Sequence, residues 1–229
     1  MERSAEQVRE NYKRITDRIG EAMAKYRKPE EQVQMMAVNK TVDPAMVNVA
    51  VECGVRLLGE NRVQEYESKK AQYDPRAQVQ FIGQLQTNKV KYLIPEISMI
   101  QSVDSLHLAN EVERIAARAG KVQDILLEVN IGGEESKGGI PAEELHGLLE
   151  EAARKPHLHV CGLMTIPPKT DVEKYFFRMQ KLFIDISAEN MDNIDMHVLS
   201  MGMSGDYVEA IKYGSTLVRI GSALFGARG

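Results

Sequence analysis

Apolar residues follow two alternating patterns along this chain. Short runs rich in Val, Ile, Leu and Met are typical of buried strands, and longer segments with an apolar residue every three or four positions are typical of helices. The runs predict strands at 35–40, 56–61, 79–83, 98–104, 124–130, 159–166, 196–201 and 217–222. The periodic segments predict a front helix to about residue 25, then helices at 43–51, 62–73, 88–93, 105–120, 141–153, 171–186 and 206–213, with a short one at 223–225.

Capping residues support several of these helix boundaries. Ser4 stands three residues before Gln7, as in a capping box, and predicts the start of the front helix. Asp43 precedes a proline, a pair typical of an N-cap followed by the first helical position. Gly54 and Gly120 stand where two helices are expected to end. The helix pattern therefore rests on local chemistry as well as on periodicity.

Strict alternation of strands and helices predicts a parallel sheet. Eight such units in 229 residues fit a (β/α)8 TIM barrel with one extra N-terminal helix. We expect 1–229 to form a single domain. The alternative is an open doubly wound sheet, which usually carries a glycine-rich turn after its first strand. Here that turn reads NKTVDP, and neither GxGxxG nor GxxxxGK[ST] occurs in the chain.

Composition narrows the classes of function. A net charge of −4 gives no general basic surface for nucleic acid. No apolar run reaches the length of a membrane span, and the N-terminus lacks the apolar core of a signal peptide, so we expect a cytoplasmic protein. The two cysteines show no zinc-ligand spacing, and each is expected to be a small buried apolar residue. His157 and His159 lie at the start of a strand, on the stability face of a barrel, so no metal site is expected there.

Lys40 is the first candidate for chemistry. It stands where the first strand ends, and alternation places it on the same face as Met36 and Val38. An amine that points into a core has a lowered pKa when it is desolvated, which suits a lysine that forms a Schiff base. The alternative is an ordinary lysine at a strand end with its ammonium group in water.

Two turns at the ends of the last two strands are candidates for a phosphate site. They read Ser200 to Ser204 and Arg219 to Ser222, and barrels commonly hold a phosphate at this place with loop amides, here with the hydroxyls of Ser200, Ser204 and Ser222. The alternative is that these are ordinary turn residues. Arg219 and Gly221 share one face of the last strand, so the arginine could face a ligand's ring nitrogen. A lysine, a phosphate site and an inward arginine together indicate pyridoxal phosphate (PLP).

Several motifs at the strand ends carry a resemblance to a known family. They are AVNKT at 37–41, GENRVQE at 59–65, FIGQLQTNK at 81–89, VNIGGEESKGG at 129–139, GLMTIPP at 162–168, LSMGMSGD at 199–206 and VRIGSALFGAR at 218–228. With these motifs the chain resembles the pyridoxal phosphate homeostasis proteins over nearly its whole length. The resemblance implies a barrel like the N-terminal domain of alanine racemase.

The resemblance also implies roles for individual residues. Lys40 would hold PLP as a Schiff base and Asn61 would lie beside the cofactor. The phosphate would be held near Ser200 and by Gly221 and Ser222, with Arg219 facing the pyridine nitrogen. Gln84 stands where many relatives carry a histidine, and Lys137 matches a family lysine assigned to a secondary cofactor site.

The implied function is storage and transfer of PLP, with apo-forms of PLP-dependent enzymes as recipients and effects on amino-acid and keto-acid balance. A PLP-dependent enzyme such as an amino-acid racemase is one alternative. Another is a metal- or phosphate-dependent barrel enzyme with Lys40 as an amine base. Racemases of this type add a β domain after the barrel, whereas this chain ends a few residues after the last predicted strand. We therefore expect a monomeric carrier without strong catalytic activity.

Overall fold

Hydrogen bonds between parallel strands form a closed ring in this computed structural model, which describes residues 4–134, 137–189 and 191–226. The ring closes because β1 pairs with both β2 and β9, and β4 pairs with β5. The barrel strands are β1 (Gln34–Val38), β2 (Leu57–Glu60), β3 (Gln78–Phe81), β4 (Met99–Val103), β5 (Gln123–Asn130), β7 (Leu158–Met164), β8 (Ile194–Met203) and β9 (Leu217–Ile220). A two-residue strand, β6 (Ile140–Pro141), pairs with the end of β5. The predicted TIM barrel is confirmed.

Helices cover the outside of this ring. The extra N-terminal helix α1 (Ala5–Tyr26) is present as expected. The other α-helices are α2 (Pro44–Cys53), α3 (Val63–Lys69), α4 (Leu106–Ala119), α5 (Leu145–Ala153), α6 (Val172–Ser187), α7 (Tyr207–Lys212) and α8 (Ser222–Phe225). Short 3₁₀ helices occupy Lys70–Gln72, Thr87–Tyr92 and Ala142–Glu144. In the part of the chain that the structure describes, no helix is long and apolar enough to cross a membrane.

The predicted caps are present in the structure. The Ser4 hydroxyl accepts a hydrogen bond from the Gln7 amide at 3.2 Å, and the Asp43 carboxylate accepts one from the Ala45 amide at 2.8 Å. Gly120 ends α4 in the left-handed region, with a φ of 61°. The segment predicted as a helix at 88–93 is 3₁₀ rather than α, a form that short connecting pieces often take.

The outward and inward faces of the strands contribute to two separate hydrophobic cores, one under the helices and one along the barrel axis. Ala37 and Leu58 pack with residues of α1 and α2 outside the barrel, so the alternate residues Met36 and Val38 face the barrel axis. Gly59 is required at this level, because a Cβ there would lie 2.6 Å from the Met36 sulfur. The barrel interior at this level is therefore filled by side chains.

Candidate functional site

A cavity of about 870 Å³ opens at the carboxyl ends of the barrel strands. Its wall combines apolar residues of β1 and of the segment after β3 with polar residues from β9 and from the turns after β1, β2, β8 and β9. The polar residues that matter most are Lys40, Asn61, Ser204, Arg219, Gly221 and Ser222. Five of the six cofactor-binding residues predicted from the sequence thus lie on one cavity, and the sixth, Ser200, lies deeper.

The turn after β1 presents Lys40, which is half-buried, to the cavity. Thr41 follows with a φ of 60°, an unfavourable conformation for a β-branched residue that needs support from its surroundings. That support comes from α3: the Thr41 amide donates to Glu65 Oε1 at 2.5 Å, and Lys69 Nζ donates to the Val42 carbonyl at 2.8 Å. Burial raises the pKa of Glu65, but hydrogen bonds from Lys69 and Thr41 bring it below its ordinary value. Helix α3 therefore fixes the turn that carries Lys40.

A buried polar network lies behind this turn and was not recognised in the sequence. Asn39 Nδ2 donates to Glu60 Oε1 at 2.9 Å and to the Tyr73 hydroxyl at 2.8 Å, and the Tyr73 hydroxyl donates to the same Glu60 oxygen at 2.5 Å. Burial raises the pKa of Glu60, which these bonds partly offset. Asn39 and Glu60 directly precede Lys40 and Asn61, so the network positions both cavity residues. Asn61 Oδ1 is buried without a hydrogen-bond partner.

Arg219 comes from β9 and is 3% exposed. Its Nη1 donates to the Ser200 hydroxyl at 2.6 Å and its Nη2 to the Thr165 carbonyl at 2.8 Å. Ser200 in turn donates to Gln101 Oε1 at 2.7 Å and is fully buried. Ser200 lies inside β8, three residues before the strand ends. It therefore contacts Arg219 deeper in the barrel and does not form part of the cavity wall.

The buried Glu128 and the half-buried Asp206 both act on the charge of Arg219. Burial lowers the pKa of its guanidinium to about 10, and the charges of Glu128 and Asp206 oppose this shift. The guanidinium therefore keeps its proton at neutral pH. Burial, helped by the charge of Asp104, raises the pKa of Glu128 to about 7, although Arg219 acts in the opposite direction. The barrel interior next to the cavity thus holds one permanent cation and one carboxyl group that titrates near neutrality.

Small residues and hydroxyl groups form one end of the cavity. The Ser204 hydroxyl accepts hydrogen bonds from the Gly221 and Ala223 amides, both at 3.1 Å. Gly205, Gly221 and Ser222 also line this end, where the absence of large side chains exposes the backbone. The Gly221 and Ala223 amides are thus already engaged with Ser204, and the hydroxyls of Ser204 and Ser222, with the backbone of this turn, suit an anionic group with several acceptor oxygens.

Two other residues singled out in the sequence lie away from the cavity wall. Lys137 Nζ donates to the Pro167 carbonyl at 2.9 Å and pairs with Glu134 at 2.9 Å, so it bridges the turns after β5 and β7. Gln84 is exposed on the segment after β3. Neither residue is among those that line the cavity.

The cavity residues fit a phosphorylated aromatic aldehyde. Lys40 supplies an amine, the apolar side chains of Val38 and Ile82 suit a ring, and Ser204 with its neighbouring amides suits a phosphate. The unpartnered Asn61 Oδ1 is a buried polar atom that a bound ligand could satisfy. These properties match PLP, the ligand expected from the sequence.

Known proteins resemble this chain over almost its full length. The family model described as alanine racemase, N-terminal domain, matches residues 5–229. The pyridoxal phosphate homeostasis protein of Aquifex aeolicus is 42% identical, with 96% of this chain and 97% of that protein covered.

Solved structures of similar proteins support the same family. A Bifidobacterium adolescentis protein described as unknown has a TM-score of 0.92 at 33% identity, covering 96% of this chain and 95% of its own. PipY of Synechococcus elongatus, solved with PLP bound, has a TM-score of 0.80 at 29% identity, covering 93% and 100%. The chain therefore belongs to the alanine racemase N-terminal domain family and, within it, to the pyridoxal phosphate homeostasis proteins.

Proposed function

We propose that this protein binds PLP in the cavity at the carboxyl end of the barrel and acts in PLP homeostasis. The observation that carries this proposal is the placement of Lys40 and the Ser204–Gly221 cradle on a single cavity. Membership of the homeostasis family and the PLP-bound structure of PipY support the choice of ligand.

Each cavity residue has a role in this proposal. PLP, when bound, supplies an aldehyde and an electron-withdrawing ring. Lys40 would hold the aldehyde carbon through its side-chain amine, with the aldehyde oxygen lost as water. Gly221 and Ser222, with Ser204, would hold the phosphate by amides and hydroxyls, and Asn61 would lie beside the cofactor. Ser200 acts through Arg219, whose guanidinium it orients.

Arg219 favours storage of the cofactor over chemistry on amino acids. A guanidinium carries only N–H donors, so a ring nitrogen that faces Arg219 has to accept a hydrogen bond and stay unprotonated. Burial lowers the pKa of Arg219 only to about 10, because the charges of Glu128 and Asp206 act in the opposite direction, so Arg219 is charged at neutral pH. An unprotonated ring nitrogen makes the cofactor a weaker electron sink, which favours a carrier over an enzyme such as a racemase.

The remaining sequence-based expectations stay predictions. They are a single domain over 1–229, a monomeric state, a cytoplasmic location and delivery of PLP to apo-forms of PLP-dependent enzymes. The role of Lys137 as a second amine for the cofactor also stays a prediction. In this structure its side chain contacts Pro167 and Glu134.

Borohydride reduction of the PLP-loaded protein, followed by peptide mapping, tests the central proposal. We expect the pyridoxyl group on Lys40, because that amine lies in the cavity near the phosphate cradle. Lys40→Ala should lose the visible absorption of the bound cofactor while its circular dichroism is unchanged. Lys169→Ala is a matched control, since Lys169 lines the same cavity. Label found mainly on Lys169 or Lys137 would contradict the assignment.

A further inference from the structure

A second cluster of reactive side chains lies at the opposite, amino-terminal end of the barrel. Asp124 comes from the start of β5, and His159 and Cys161 come from the start of β7. Asp124 Oδ1 lies 2.9 Å from His159 Nδ1, and Cys161 Sγ lies 3.3 Å from the same nitrogen. The three ligand atoms all lie within 4.8 Å of one another.

Strand register and a bulge bring these groups together. Asp124 and His159 are direct partners in the β5–β7 ladder, and Cys161 lies two residues after His159, on the same face. The register shifts at Cys161, which has no partner between Val160 and Gly162. Such a bulge redirects a side chain, and here the thiol sulfur lies beside the imidazole. The cluster is thus built by the fold and not by a motif in the sequence.

We propose that Asp124, His159 and Cys161 bind a zinc ion, with solvent as the fourth ligand. Zinc takes nitrogen and oxygen ligands at about 2.0 Å and sulfur at about 2.3 Å in a tetrahedron, so its ligands are separated by about 3.3–3.5 Å. The two separations from His159 Nδ1, 2.9 and 3.3 Å, need to change by only a few tenths of an ångström, and the Asp124 oxygen and Cys161 sulfur, which lie within 4.8 Å of each other, would both move toward the ion. Thiolate and imidazole together select zinc over magnesium or calcium.

Access and local charge support a cation at this place. The side chains of Asp124 and His159 are 45% and 34% exposed, so an ion can reach them from solvent, while Cys161 is buried. The negative charge of the Asp124 carboxylate, beside the imidazole and the thiol, attracts a divalent cation, whose own charge would compensate for that of a thiolate at Cys161.

Zinc binding to the PLP-loaded, chelator-treated protein tests the proposal by titration calorimetry, with cobalt absorption as a reporter of thiolate ligation. We expect one equivalent of zinc and a thiolate-to-cobalt charge-transfer band. Changes to residues that only support ligands weaken metal binding about 10–100-fold, so Cys161→Ser, which removes a direct ligand, should weaken it at least about 100-fold. Cys53→Ser, the other cysteine, and His157→Gln are matched controls and should bind zinc like the wild type.

A second variant guards against misfolding. If Cys161→Ser lost its native circular dichroism, Asp124→Asn would replace it as the test, because Asp124 is at an accessible position. We expect Asp124→Asn to weaken zinc binding at least about 10-fold. Absence of stoichiometric zinc binding would overturn the proposal. So would zinc binding that persists in both variants, or binding that is lost on Lys40→Ala, which would place the ion in the PLP cavity.

Discussion

Glu128 should make the stability of this protein depend on pH in an unusual direction. The folded protein raises its pKa from the ordinary 4.5 to about 7, chiefly through burial. Between these values the folded state holds a proton that the unfolded chain has released, so folding stability falls as the pH rises and levels off only above about pH 8. The difference between a pKa of 4.5 and one of about 7 corresponds to roughly 3–4 kcal/mol in all.

Replacement of Glu128 by glutamine removes this titration. Urea unfolding at pH 5 and pH 8 should show that Glu128→Gln loses roughly 2–3 kcal/mol less than the wild type over this interval, because part of the effect already lies below pH 5. Both proteins are measured without PLP, so the pH dependence of cofactor binding does not enter the comparison. Glu143→Gln, at an exposed position, is the control and should match the wild type within about 0.5 kcal/mol. Equal pH dependence in Glu128→Gln and the wild type would refute the reasoning.

Three further predictions concern cofactor handling. Ser204→Ala removes the acceptor for the Gly221 and Ala223 amides and should weaken PLP binding about 10-fold in an absorbance titration, with little effect on unphosphorylated pyridoxal. An equal effect on both would argue against a phosphate site. Lys137→Ala should slow PLP transfer to an apo-enzyme while Lys40 keeps its label after borohydride reduction; an unchanged rate would leave Lys137 only its bridge to Pro167. Turnover of L- and D-amino acids by the PLP-loaded protein, followed by racemisation and transamination assays, should stay below about 1 s⁻¹, and a higher rate would favour the enzyme alternative.

Strand ends explain why the sequence predicted so much of the cavity. Parallel strands in a barrel all deliver their last residues to one rim, so finding each strand from its apolar run also locates the candidate site. Lys40, Arg219 and the pair Gly221 and Ser222 were identified in this way. Asn61 was assigned through the family resemblance, and all five residues line the cavity.

The sequence could not predict how deep in the barrel a strand residue lies, or which side chains from distant segments form hydrogen bonds with each other. The apolar pattern ended the strand at residue 201, whereas β8 continues to Met203, so Ser200 lies deeper than expected and Ser204 takes the place at the rim. The hydrogen bonds that join Asn39, Glu60 and Tyr73 depend on tertiary packing between segments far apart in the sequence. Local propensity contains no information about such partners.

The N-terminal helix is tied to the wall of the cavity by a buried side chain. Asn11 on α1 donates through Nδ2 to the Leu224 carbonyl of α8 at 2.9 Å, and α8 begins at Ser222 on the cavity. A ligand that holds Ser222 in place would therefore also resist opening of α1, which lies outside the barrel. Amide hydrogen exchange in the middle of α1 should slow when PLP binds, and Asn11→Ala should uncouple the two. The frequency of local unfolding of α1, a helix on the outside of the molecule, would then report whether the cofactor is bound.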